Sequence, residues 1–242
     1  MVNLHLDRWG ARAAWVVLFG LAFGYVEAAV VVYLREIYDP IRAQLHPDIE
    51  QGALLPLITL EQLRELGGNH LRTLWIELGR EFATLVMLAA VAGAACRKRF
   101  EWIAFFMLAF GVWDIAYYGG LKLTIGFPDT LLTWDILFLI PVPWLGPVLA
   151  PVLVSLTMIA AAIVILRQVA ADRPPCVRWW STGLISLGAL VILASFCLGY
   201  SPTEGETFHW PLFALGEAVG ILGFVSCCGR RRGSSCSPSR AS

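Results

Sequence analysis

The stretch that decides the fold runs from Phe110 to Pro151 and reads FGVWDIAYYGGLKLTIGFPDTLLTWDILFLIPVPWLGPVLAP. It contains the triplet Trp-Asp-Ile twice, and Asp114 and Asp135 in these triplets are both surrounded by apolar residues. A carboxylate in apolar surroundings is costly unless it is paired, protonated or bound to a ligand. The four prolines that follow exclude a straight helix, because each removes a backbone donor and clashes with the preceding turn. Broken backbone beside acidic groups predicts the lining of a cavity.

The composition of the whole chain is that of a membrane protein. Of the 242 residues, 58% are hydrophobic and 15% are charged, whereas globular domains carry about 25% charged residues. A transmembrane helix needs about 20 mainly apolar residues. The windows that meet this requirement are Ala11–Leu34, Thr73–Cys96, Trp102–Gly120, Val148–Leu166, Trp180–Tyr200 and Trp210–Cys228. The sequence therefore predicts an all-α integral membrane protein with six transmembrane helices, which form a single bundle over residues 1–228.

A seventh apolar window, Leu131–Leu145, decides the topology. If it does not cross, twelve Arg and Lys residues lie on the side of the N-terminus and five on the other side. This positive-inside pattern predicts a multi-pass protein of the plasma (inner) membrane with both termini in the cytoplasm. A crossing here would be short and interrupted by prolines, and it would move later basic clusters outside. We therefore expect a re-entrant or half-depth segment, which is allowed where the backbone is buried in protein or lines a cavity.

The remaining segments are short. The outer loop, residues 35–72, contains Thr59-Leu-Glu-Gln62 with the spacing of a capping box, which predicts a short helix on the surface. Residues 229–242 are rich in Arg and Ser and are expected to form a disordered cytoplasmic tail. Because no basic stripe with interleaved aromatic residues is present, nucleic acid is not an expected partner. The lipid bilayer is the expected partner, and another membrane subunit is an alternative.

Cysteine and histidine usage restricts the cofactors. The six cysteines show no CxxC spacing, and the predicted cytoplasmic position of most of them implies reduced thiols. None of the four histidines lies in the middle of a span, so haem is not expected. His70 and His209 lie at the outer edges of the second and sixth spans. Together with nearby carboxylates they would suit a divalent metal, although loop histidines are more often simply solvated.

Acidic residues inside the apolar windows are the main sign of a functional site. They are Glu27, Glu77, Glu81, Asp114, Asp135 and Glu217. At about 1.5 Å per residue, four of them lie roughly 9 to 12 Å below the outer ends of four different helices. An unpaired charge at mid-membrane costs about 2.5 to 3.5 kcal/mol, so these groups must be paired, protonated or metal-bound. A shared level on separate helices predicts one acidic pocket that opens outward.

Helical phase and chemistry suggest roles for these residues. The candidate catalytic residues are Glu81, Asp114, Glu27, Tyr117 and Tyr118. The candidate substrate-binding residues are Arg80, Glu77, Asp135, Lys122 and Glu217. The structural alternative is that Arg80 simply neutralises Glu77, since residues three apart on a helix are neighbours, and that Glu27 or Glu217 makes an interhelical hydrogen bond.

Three classes of function fit this pattern. The first is a membrane enzyme or binding protein for a lipid-soluble or small substrate at the outer leaflet, with a carboxylate base, a tyrosine donor and Arg80 or Lys122 holding an anionic group. The second is a proton- or cation-coupled transporter, and the third is a non-catalytic subunit or assembly factor. No GxSxG, Walker A or HExxH motif supports soluble-type catalysis. The lack of polar residues in the cytoplasmic half disfavours the transporter.

Overall fold

The computed structural model describes residues 3–45, 47, 58, 60–198, 200–201 and 205–229. Within these residues, six helices are long and apolar enough to cross a membrane, as predicted. The helices are α1 (Asn3–Leu45), α2 (Leu60–Glu65), α3 (His70–Ala95), α4 (Arg99–Ile125), α5 (Leu149–Ala170), α6 (Trp179–Leu198) and α7 (Trp210–Cys228). Two antiparallel hairpins join β1 (Trp134–Phe138) to β2 (Trp144–Pro147) and β3 (Tyr200–Ser201) to β4 (Gly205–Glu206). The protein is an all-α polytopic membrane protein.

Helix α1 is longer than its apolar window. The window ends at Leu34, but the helix continues to Leu45, so the prediction of a loop from residue 35 is wrong for this part. Hydropathy marks only the apolar portion of a helix, whereas Arg35, Tyr38 and Arg42 continue the inward face of α1 at helical spacing and line a cavity among the helices. These polar side chains are therefore held on a rigid element rather than on a loop.

The segment between α1 and α3 contains the short helix α2. Its Leu63 is buried, and α2 contacts α3. Thr59, the predicted cap of this helix, lies outside the described residues, as do residues 230–242 of the predicted tail.

Within the part of the chain that the structure describes, one cysteine differs from expectation. Cys176, between α5 and α6, is disulfide-bonded, so the prediction of reduced thiols is wrong for this residue. A disulfide joins residues that are close in space, and the absence of CxxC spacing does not exclude it. A disulfide at this end of the bundle is at odds with a cytoplasmic position, whereas the count of Arg and Lys favours that position.

The bundle is organised around α4, which contacts α1, α3 and α5. Phe105 and Leu108 of α4 belong to a buried apolar cluster with residues of α1, α3 and α5. The crossing of α1 and α4 is very close, because a Cβ atom on Gly24 would lie 2.6 Å from the Trp113 carbonyl oxygen. Only glycine fits there, and this close approach brings Glu27, less than one turn further along α1, against the centre of the bundle. Helices α6 and α7 form a second close pair.

The proline-rich segment folds as the β1–β2 hairpin and does not cross. Asp135 of β1 pairs with Gly146 of β2. Beyond β1, the backbone N–H of Leu139 donates to both carboxylate oxygens of Glu81 at 3.1 and 3.0 Å. Because Glu81 lies about 16 Å along α3 from its first residue, the hairpin reaches well into the bundle. This is the predicted half-depth segment, in a β conformation.

Candidate functional site

A cavity of about 1490 Å³ lies among the six long helices and the β1–β2 hairpin. Pockets for drug-sized ligands usually measure about 300 to 1,000 Å³, so this cavity has room for a larger molecule. Its charged residues and tyrosines at the hairpin end are Glu27, Arg35, Tyr38, Arg42, Glu77, Arg80, Glu81, Asp114, Tyr117, Tyr118 and Asp135. Towards the opposite end the lining is mainly apolar and includes Met107, Val164, Leu190 and Phe224. The cavity is therefore amphipathic along its length.

Arg80 of α3 lies between two carboxylates at the hairpin end. It pairs with Glu27 of α1 and with Glu77 one turn earlier on its own helix. The Nε atom of Arg80 is 2.9 Å from Glu77 Oε2, and the Thr84 hydroxyl donates to Glu27 Oε2 at 3.3 Å. Two carboxylates share one guanidinium, so the three side chains together carry an excess of negative charge. The pairing links α1 to α3.

Asp114 of α4 is hydrogen-bonded to helix α5. The Ser155 hydroxyl of α5 donates to Asp114 Oδ2 at 2.7 Å, and both side chains are buried. Asp114 also interacts electrostatically with Asp135. One oxygen of this carboxylate is thus fixed by the serine, and the residue lines the cavity beside a second acid.

Asp135 joins the hairpin to α1 and α4. Tyr117 OH lies 3.5 Å from Asp135 Oδ2, and Tyr118 makes a second hydrogen bond to the same side chain. Arg35 Nη2 lies 3.8 Å from Asp135 Oδ1, which is an ion pair without a hydrogen bond. Burial raises the pKa of Asp135 to about 6, and this exceeds the lowering effect of the Arg35 guanidinium and of the hydrogen bonds. The group therefore changes its protonation state near neutral pH.

Other predicted residues are separate from this cluster. Glu217 of α7 accepts a hydrogen bond from Thr157 of α5 at 3.1 Å and lines the cavity between α5 and α7. Lys122 is exposed, and its Nζ donates to the carbonyl oxygens of Gly126 and Pro128, both at 2.8 Å. The structure places it outside the cavity lining.

The two candidate metal ligands, His70 and His209, lie at the starts of α3 and α7. His209 is exposed at the start of α7, and the His70 ring packs near Tyr38, with 6.3 Å between the ring centroids. Among the described residues, no three or more His, Cys, Asp or Glu side chains are arranged to hold a metal ion. The geometry therefore gives no support to a metal site at these two histidines.

Two elements of the cluster were missed from the sequence. Arg35 was counted as a loop charge, although it follows Glu27 at a spacing that keeps both on one side of a continuous helix. The Leu139 backbone N–H was missed because a backbone donor has no signature in the sequence. The prolines after Ile140 were a usable signal, since they indicated that this backbone would leave regular structure beside Glu81.

No family model, no curated protein and no solved structure matches this chain.

Proposed function

We propose that this protein binds an amphipathic, lipid-soluble substrate in its cavity and carries out acid–base chemistry on the polar group of that substrate. The observation that carries the proposal is the shape and chemistry of the cavity. Its long apolar part would hold a hydrocarbon portion, and its cluster of carboxylates and tyrosines would receive the polar portion. Orientation by charge bias would place this cluster towards the outer leaflet.

The chemistry assigned to the cluster is proton transfer. General acid–base catalysis requires a proton acceptor and a proton donor within reach of the same reacting group. Asp114 is the proposed acceptor, because Ser155 occupies only one of its oxygens. Tyr117 and Tyr118 beside Asp135 are the proposed donors. Glu81 has a positioning role, since its carboxylate holds the hairpin that carries Asp135.

The transporter alternative is less well supported by the lining. A proton or cation path needs polar groups at successive depths, but the half of the cavity away from the hairpin is lined mainly by apolar side chains. The pair of Glu217 and Thr157 is the main polar feature between the cluster and that end. An apolar passage suits a hydrocarbon chain better than an ion.

The proposal is tested by incubating purified protein with a total lipid extract of the source membrane and following the composition by mass spectrometry. Wild-type protein should convert at least one amphipathic component. Asp114→Asn should convert that component at least 100-fold more slowly than wild type does. The variant should still bind the component, because the amide keeps the shape of the side chain and the hydrogen bond to Ser155. Arg72→Gln is the matched control, since Arg72 is exposed near the start of α3. Equal conversion by wild type and Asp114→Asn, or no conversion at all, would contradict the proposal.

A further inference from the structure

Arg35 of α1 is a largely buried residue that has no role in the proposed acid–base chemistry. Its side chain is 13% exposed, and its Cζ atom lies over the Phe127 ring, 4.0 Å from the centroid. Among the described residues, its Nε and Nη2 atoms are shielded from solvent and have no hydrogen-bond partner. A buried donor without a partner is unfavourable, because it has lost its water and gained no acceptor.

The two unpartnered atoms are the pair that matters for recognition. Nε and Nη2 point in the same direction from the side of the guanidinium group, and this edge binds carboxylate and phosphate oxygens through two parallel hydrogen bonds. The nearby Asp135 does not use it, because the 3.8 Å separation from Nη2 exceeds a hydrogen bond. The contact of Cζ with the Phe127 ring restricts the position of the group.

Arg42 extends the same feature along α1. It lies two turns from Arg35 and lines the same cavity, and the two guanidinium groups interact electrostatically. Arg42 Nη1 donates a hydrogen bond to Asp39 Oδ1 at 2.8 Å. The Nε atom of Arg42 is buried and, within the described part of the chain, has no hydrogen-bond partner. Each guanidinium already faces one carboxylate, Asp135 for Arg35 and Asp39 for Arg42, and each keeps a buried donor that a further anionic group could use.

We propose that Arg35 and Arg42 form an oxyanion subsite at the hairpin end of the cavity, and that its ligand is a phosphate-class group. This inference rests on the proposed function and specifies it: the polar portion of the amphipathic substrate is anionic. Arg35 supplies the two-pronged contact and Arg42 supplies a second donor. Arg35 lies about 12 Å along α1 from Glu27, and Tyr117 interacts electrostatically with both Arg35 and Arg80. Arg80 does not hold the anion, because Glu27 and Glu77 already engage it.

The test uses full-length protein in nanodiscs of neutral phosphatidylcholine. The probes are phosphatidic acid, diacylglycerol of the same chain length, and inorganic phosphate. Wild-type protein should bind phosphatidic acid at least tenfold more tightly than diacylglycerol. Competition by millimolar inorganic phosphate would identify free phosphate as a sufficient ligand, whereas binding of the lipid alone would identify a lipid headgroup, and both results support the subsite.

Variants separate the two-pronged contact from simple charge. Arg35→Gln should abolish the preference for phosphatidic acid, and Arg35→Lys should lose at least fivefold, because lysine keeps the charge but cannot make the paired contact. Arg72→Gln should bind as wild type does. The inference is overturned if wild type shows no preference, or if Arg35→Gln and Arg72→Gln behave alike. Binding of diacylglycerol without preference would refute only the subsite, whereas failure to bind either lipid would refute the proposed function as well.

Discussion

Replacing Arg80 by methionine should destabilise the protein strongly, because it removes the only guanidinium that Glu27 and Glu77 share within the described residues. The side chains of Glu27 and Glu77 are 10% and 14% exposed, so neither carboxylate can recover full solvation. Removing one partner of a buried ion pair typically costs about 3 to 5 kcal/mol. We expect Arg80→Met to lower the free energy of unfolding by that amount.

The measurement is an unfolding titration with sodium dodecyl sulfate in mixed micelles, followed by tryptophan fluorescence. Arg72→Met on the same helix is the control, and an exposed substitution of this kind should change the free energy of unfolding by no more than about 0.5 kcal/mol. Combining Arg80→Met with Glu27→Gln and Glu77→Gln should recover part of the loss, because the two acids that pair with Arg80 are then neutral. Glu81, which also interacts electrostatically with Arg80, keeps its hydrogen bonds from the Leu139 N–H. The reasoning is refuted if Arg80→Met is as stable as Arg72→Met, or if the combined variant is no better than Arg80→Met.

Two further predictions concern helix packing and pH. Gly188→Ala should lower the free energy of unfolding by about 1 to 3 kcal/mol, because the added Cβ would lie 2.6 Å from the Gly220 backbone nitrogen. Gly183→Ala on the same helix is the control and should have little effect, because its Cβ meets nothing within 4 Å. Equal effects of the two substitutions in the same titration would show that α6 and α7 do not cross at Gly188. Burial raises the pKa of Asp135 to about 6, so between about pH 4 and pH 6 the folded protein keeps a proton on Asp135 that the unfolded chain has released. The contribution of Asp135 to the free energy of unfolding should therefore fall as the pH rises from about 4 to 7. Asp135→Asn should remove this dependence, and identical pH profiles for wild type and variant would contradict the assignment.

Hydropathy predicted most of the fold because a bilayer imposes a minimum length of apolar sequence on every crossing. The ends of the helices were less predictable, since helix formation continues past the apolar part wherever polar residues still face the bundle. Helix α1 is the clearest example: it carries Arg35 to the cavity although no apolar window includes that residue.

The cluster was partly visible in the sequence because acidic residues in apolar helices are too costly to be incidental. Their level along separate helices could be counted, and Glu27, Glu81 and Asp114 do line one cavity. The hydrogen-bond partners of these acids could not be derived from the sequence in this way. The bonds of Glu81 to the hairpin backbone and of Asp114 to Ser155 depend on how the elements pack, and single-sequence periodicity does not contain that information. Lys122 shows the converse, since a charge near the right level faces away from the cavity.

The most direct test of an amphipathic substrate in the cavity is native mass spectrometry of protein extracted from its own membrane. Wild-type protein should retain one amphipathic molecule per chain. Ala160→Trp places an indole in the apolar lining of α5 and should lose that molecule. Ala83→Trp, at an exposed position of α3 outside the lining, should keep it. Equal retention by Ala160→Trp and Ala83→Trp, or an empty wild-type protein, would contradict the account.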